Sequence, residues 1–206
     1  MESKVFEIIK EASQLFKRYG IKSISMEELS RQLRISKKTL YQHFTDKNDL
    51  VEKTIFQMMN QKGCAMKEIE TKNLNAVEEL FEVYHLANEL IREHNESLEF
   101  DLQRFYPQIF KKIRDSHRAN IYNLTLSNLI KGKREGYYRS DLDEQVITKL
   151  HVLRIENLMH SDLVTTEEIH SNHFFYEVFK YHLHGIISQK GLQFIQTNYP
   201  EFLNNE

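Results

Sequence analysis

The chain has 206 residues, 40% of them hydrophobic, with 28 Lys and Arg against 30 Asp and Glu. That length supports one or two small domains with a sizeable core, while a net charge of −2 excludes a general polycation, so any affinity for nucleic acid must come from a local face. Only six Gly and two Pro among abundant Leu, Ile, Glu, Lys and Gln point to an all-α chain, and a lone Cys64 excludes an internal disulfide and fits a reducing cytoplasm. No apolar run approaches the roughly 18 residues of a membrane span, and the amphipathic start does not read as a signal peptide, so a soluble protein is expected.

Val5, Ile8, Ile9, Ala12, Leu15, Phe16 and Tyr19 recur at helical spacing, and Gly20 ends that helix as a left-handed cap. A second helix follows Ser25, which can cap it with Glu28 closing a capping box, and Met26, Leu29 and Leu33 turn one face inward. Arg34-Ile35-Ser36 makes a turn, Ser36 caps a third helix, and Leu40 and Phe44, four apart, are its buried pair. This leaves Lys37, Lys38, Thr39, Tyr41, Gln42 and His43 exposed. They are cations and hydrogen-bonding groups crowded on one short helix, a composition suited to phosphates and base edges in a major groove. Residues 1–50 hold ten Lys and Arg against seven Asp and Glu, a net of +3, whereas residues 51–206 hold eighteen against twenty-three, a net of −5. A small cationic head on a larger acidic body is the expected organisation.

The order Ile35-Ser36-Lys37-Lys38-Thr39-Leu40-Tyr41-Gln42-His43-Phe44, followed by Asp46-Lys47 and Leu50, resembles the helix-turn-helix of the TetR family of bacterial transcriptional regulators. The resemblance covers Val5 to Leu50. It implies a DNA-binding domain over 1–47, with Ser36, Lys37, Lys38, Thr39, Tyr41, Gln42 and His43 at the groove and Lys47 on a phosphate. It further implies a helical effector-binding and dimerisation body over 48–206, whose last two long helices pair across a two-fold axis. The chain departs from the family pattern at Leu33, where small residues are usual, and at Arg34 and Lys38, where glycine is common. Arg34 therefore has to hold a positive φ without glycine's freedom, and Lys38 adds a phosphate contact.

Beyond the head, Asp46 caps a helix from Lys47, with Leu50, Val51, Thr54, Ile55 and Met58 on its buried side, and the pattern breaks over Gly63 to Asn75. Leu74, Val77, Leu80, Phe81, Tyr84, Ala87 and Ile91 mark a helix running to His94. A short helix over Leu98 to Phe105 ends before Pro107, which forces a restart, and a long helix then runs from Pro107 to Gly132. Gly136 to Asp141 is a turn. Helices over Val146 to Met159 and Phe174 to Ser188 are apolar on more than one side, which leaves Val152, Ile155, Met159, Phe175, Phe179, His182 and Ile186 open to either core or a homodimer interface. A homodimer is expected because one recognition helix reads too few bases, while two a helical turn apart read a palindrome.

Tyr84, Phe100, Phe105, Tyr106, Phe110, His117, Asn120 and Tyr122 give the body aromatic rings with a few polar groups, the makeup of a small-molecule site or of ordinary core. Six of them, Tyr84, Phe105, Phe110, His117, Asn120 and Tyr122, are the candidate ligand residues for an unknown effector. His170 and His173 have helical metal-pair spacing but lack a convincing third ligand, and His182 and His184 point to different faces, so no metal or cofactor is assigned. No phosphate loop, nucleophile elbow or zinc-protease stretch occurs, and an enzyme is not expected. The competing reading is an all-helical adaptor whose head docks a protein instead of DNA.

Overall fold

The structure, a computed structural model, describes residues 2–158, 161 and 163–204. Among these residues the chain forms α1 (Glu2–Tyr19), α2 (Met26–Gln32), α3 (Lys37–Tyr41), α4 (Lys47–Thr71), α5 (Ala76–Arg92), α6 (Glu96–Phe105), α7 (Pro107–Glu135), α8 (Glu144–Leu158), α9 (Thr166–Ile169), α10 (Asn172–Ile186), α11 (Gln189–Asn198) and α12 (Pro200–Asn204). The fold is all-α, and its single extended pairing among the described residues is an isolated bridge between Tyr138 and Ile187. Met159, expected at the end of the helix from Val146, lies outside the described residues.

The chain packs as two compact units. The first holds residues up to Cys64 together with His94–Ser116, and the second holds Ala65–Glu93 and His117 onward. The first unit therefore recruits α6 and the start of α7 to the helix-turn-helix, beyond the 1–47 boundary expected from sequence. Its core joins Ile8, Ala12 and Phe16 of α1, Leu29 of α2, Leu40, Phe44, Leu50, Val51 and Ile55, and Leu98 and Leu102 of α6. Each of these side chains other than Ala12 contributes roughly 1.5–3 kcal/mol on leaving water. α1 stops at Gly20, whose φ of +79° lets its N–H reach the Phe16 carbonyl at 3.0 Å.

The second unit is centred on Val77, Phe81, Leu129, Tyr138, Phe179, Leu183, Ile186 and Ile195. Asn75 and Glu78 form a full capping box at the start of α5. The Asn128 amide donates to the Ala76 carbonyl at 2.9 Å, and the buried Tyr138 hydroxyl lies 2.9 Å from that carbonyl and 2.8 Å from Asn128 Oδ1. Gly132 is required by the same cluster, because a Cβ there would stand 2.0 Å from the Tyr138 ring. Among the residues left open between core and interface, Val152, Phe179, His182 and Ile186 are buried within the protomer. Ile155 and Phe175 are half-buried.

One expected break does not occur. α4 continues through Gly63 to Thr71, and the chain turns only at Lys72–Asn75. A single glycine inside a helix costs about 1 kcal/mol relative to alanine, too little to end a 25-residue helix fixed by burial at its start.

Candidate nucleic-acid interface

Capping fixes both helices of the head. Ser25 Oγ accepts the Glu28 N–H at 3.0 Å, but the Glu28 side chain turns to Arg31 and to Gln32 (3.0 Å), so half of the expected capping box forms. Ser36 Oγ accepts the Thr39 N–H at 3.0 Å and shares a 2.8 Å hydrogen bond with the Thr39 hydroxyl, which fixes the start of α3. Arg34, in the turn between them, has a φ of +53°, the left-handed conformation that its position in the motif demands. Leu40 and Phe44 are buried beneath, and this anchors which face of α3 looks outward.

That outward face carries Lys37, Lys38, Tyr41 and Gln42, all exposed, with Thr39 and His43 half-buried beside them. Lys38 makes no ion pair among the described residues. Lys37 Nζ instead lies 2.7 Å from Glu27 on α2, and this lysine holds the Glu27 carboxyl below its ordinary range, first by hydrogen bonding and then by charge. Glu27 sits in the first turn of α2, ten positions before Lys37, a separation that helical periodicity does not link. A carboxylate at this edge competes with phosphate for Lys37.

Lys47 is turned inward. Its ammonium donates to the Ile21 carbonyl at 2.7 Å and approaches the Lys22 carbonyl at 3.4 Å, and burial followed by the neighbouring Lys22 charge lowers its pKa. The Asp101 carboxylate, buried on α6, accepts the Lys22 N–H at 2.8 Å, and Asn95 donates to the Lys17 carbonyl at 2.8 Å. The loop leaving α1 is thus held from two sides, by the first residue of α4 and by α6.

The six candidate ligand residues are divided between the units. Phe105 and Phe110 belong to the first, where Lys22 Nζ lies 4.7 Å over the exposed Phe105 ring and the half-buried Phe110 packs on the head's core. Tyr84, His117, Asn120 and Tyr122 belong to the second. Tyr84 stacks on Phe179 at 4.1 Å and Phe175 at 5.0 Å, and burial raises its phenol pKa. His117 and Asn120 are exposed on α7, and Tyr122 is half-buried. Among the described residues no three His, Cys, Asp or Glu converge as a metal site. No helix among them is long and apolar enough to cross a membrane.

A capped helix-turn-helix presenting lysines and amides, at the start of an otherwise helical chain, defines a DNA-binding transcriptional regulator. The model of bacterial regulatory proteins of the tetR family matches residues 8–54. The HTH-type transcriptional repressor KstR2 of Mycobacterium tuberculosis is 22% identical over 151 residues, spanning 71% of this chain and 75% of that protein. The solved structure of the ketosteroid transcriptional regulator KstR2 shares the fold at a TM-score of 0.55 and 18% identity, over 92% of this chain and 97% of that one. A transcriptional regulator from Cytophaga hutchinsonii does so at 0.74 and 19%, over 90% and 99%. A transcriptional regulator from Saccharomonospora viridis, solved in complex with choline, does so at 0.67 and 18%, over 92% and 100%. Residues 8–54 thus match the tetR-family segment, and the chain is similar to TetR-family transcriptional regulators in sequence and fold.

Proposed function

We propose that the protein is a ligand-responsive repressor that binds a palindromic operator as a homodimer, with residues 1–47 as the DNA-binding domain, 48–206 as the effector-binding and dimerisation domain, and no catalytic role. The observation that carries the reading is the exposed face of α3, where Lys37, Lys38, Tyr41 and Gln42 stand clear of a core anchored by Leu40 and Phe44. Ser36, Thr39 and His43 flank that face. Gln42 is the base reader, because its amide can bond adenine at two atoms, while the lysines serve backbone phosphates. Lys47 acts at the phosphate edge by fixing the start of α4, whose backbone amides face the backbone. The choline-bound relative supports an effector role for a body of this fold, and the KstR2 relative supports repression.

The test is selection of a preferred duplex from a random pool, followed by titration at several salt concentrations. A head neutralising about 6 to 10 phosphates loses roughly 10³ to 10⁵ in affinity between 50 and 200 mM salt, whereas a protein-docking adaptor would select no duplex. Gln42→Ala is expected to relax preference at one base pair by about 1–3 kcal/mol, and an unchanged preference would remove it as the reader.

A further inference from the structure

The second unit holds a cationic group that the described residues leave without a counter-charge. Arg154 lies half-buried on α8 and takes part in no ion pair among the described residues. The nearest carboxylate in sequence, Glu156, is taken by Arg118 at 2.8 Å. Arg154 Nη2 donates to His151 Nδ1 at 2.9 Å, and its Nη1 reaches the Val178 carbonyl of α10 at 3.4 Å, while its Nε is buried with no partner. Because a guanidinium can only donate, His151 Nδ1 must accept, which places the His151 proton on Nε2 and leaves that atom as a further donor. The His182 ring of α10 packs 4.3 Å from the His151 ring. Burial, then the charge of Arg154, holds His151 neutral with a pKa of about 3, and burial, then His151 and Arg154, depresses His182. Thr148, one turn earlier on α8, also has a buried hydroxyl without a partner.

A desolvated cation facing only neutral dipoles is costly, and natural structures relieve such a group with an anion. Phe175 and Phe179 precede His182 on the same face of α10. We infer that Arg154, with His151 and His182 beside it, receives the carboxylate of a small apolar acid where α8 meets α10. Arg154 Nε and the remaining N–H of each Arg154 Nη, together with His151 Nε2, are donors that can address the carboxylate oxygens, and the aromatic side chains of α10 take the hydrocarbon part. The inference deepens the ligand-responsive reading by naming the class of effector, and it can fail independently of that reading.

The experiment compares the full chain in the presence of octanoate or benzoate with the same chain in the presence of octanamide or benzamide. Each acid at saturation should raise Tm by on the order of 5 °C, and neither amide should. Arg154→Met should keep the fold and operator affinity, because it removes an uncompensated charge, yet lose the response to acid, and Arg154→Lys should retain part of it. Equal shifts with acid and amide, no shift with either acid, or an undiminished shift in Arg154→Met would overturn the site. So would sedimentation of Arg154→Met as a smaller species than the parent, which would assign the missing carboxylate to a second copy of the chain. If Arg154→Met does not fold, His151→Phe, which removes one donor and keeps the charge, must weaken acid binding at least 10-fold for the site to stand. Stabilisation by acid without release of the operator would keep the site and remove the ligand-responsive reading instead.

Discussion

Arg34 shows how one residue carries a conformational cost that the motif imposes. A φ of +53° places its Cβ against the following carbonyl, a conformation that costs a non-glycine residue about 1–2 kcal/mol. Arg34→Gly is therefore expected to raise the urea midpoint by the equivalent of about 1 kcal/mol, somewhat reduced by the greater freedom of glycine in the unfolded chain, and to leave operator preference unchanged. His151 makes a second prediction. Its folded pKa of about 3 lies below the unfolded value of about 6.5, so the unfolded chain binds more protons between those limits. The contribution is intact above pH 6.5 and is lost as pH falls toward 3, by roughly 2 kcal/mol from His151 between pH 7 and pH 5, with His182 acting in the same direction. Denaturant melts at pH 7 and pH 5 check this. A His151→Gln variant should lose the larger part of the difference, and an unaltered pH dependence would place the titrating groups elsewhere.

At the scale of the element, the head depends on polar ties as much as on its core. Lys47 opens α4 and clasps the Ile21 carbonyl, while Asp101 on α6 holds the Lys22 N–H of the same loop. Gly20 belongs to this arrangement, since a Cβ there would stand 2.9 Å from the Asp101 carboxylate. Lys47→Met should lower stability by about 1–2 kcal/mol through the orphaned carbonyl, and weaken DNA binding to a similar degree at every sequence. A loss confined to one base pair would contradict that backbone-positioning role. These ties were not legible in the sequence, because Lys47 and Asp101 are 54 positions apart and nothing in helical periodicity joins them. What periodicity and capping do encode came through: the starts of α2 and α3 follow from Ser25 and Ser36, and the restart at α7 follows from Pro107. The end of α4 was not readable from composition, since Gly63 resembles a boundary but weighs less than the hydrogen-bonded turns around it. Nor does an apolar stripe say which partner it meets. Val152 and Phe179 turn inward, and the pairing of His151 with Arg154 gave only an unremarked i, i+3 spacing on an apolar helix.

At the scale of the whole molecule, the proposed reading requires two heads, and α8 and α10 offer the surface to join them. Val146, Leu150 and Leu153 fall at i, i+4 and i+7 on α8, with Leu150 57% and Leu153 55% exposed, and Tyr181 on α10 is 78% exposed. An apolar row of this kind on a water-facing helix favours burial against a second copy, and a two-fold interface would apply the same patch twice. Combining Leu150→Glu with Leu153→Glu places carboxylates on that row while leaving the buried Val152 and Thr148 untouched. The double variant is expected to keep its helical signal and sediment as a monomer at micromolar concentration, where the parent is expected to sediment as a dimer. Its operator affinity should fall about 10²- to 10⁴-fold, because the second half-site is then met from solution instead of at the effective concentration set by the first. Binding to an isolated half-site should be almost unchanged, as α3 and its cap are intact. A parent that is monomeric under these conditions, or a double variant that still binds the full palindrome as tightly, would show that the two heads are not joined through α8 and α10.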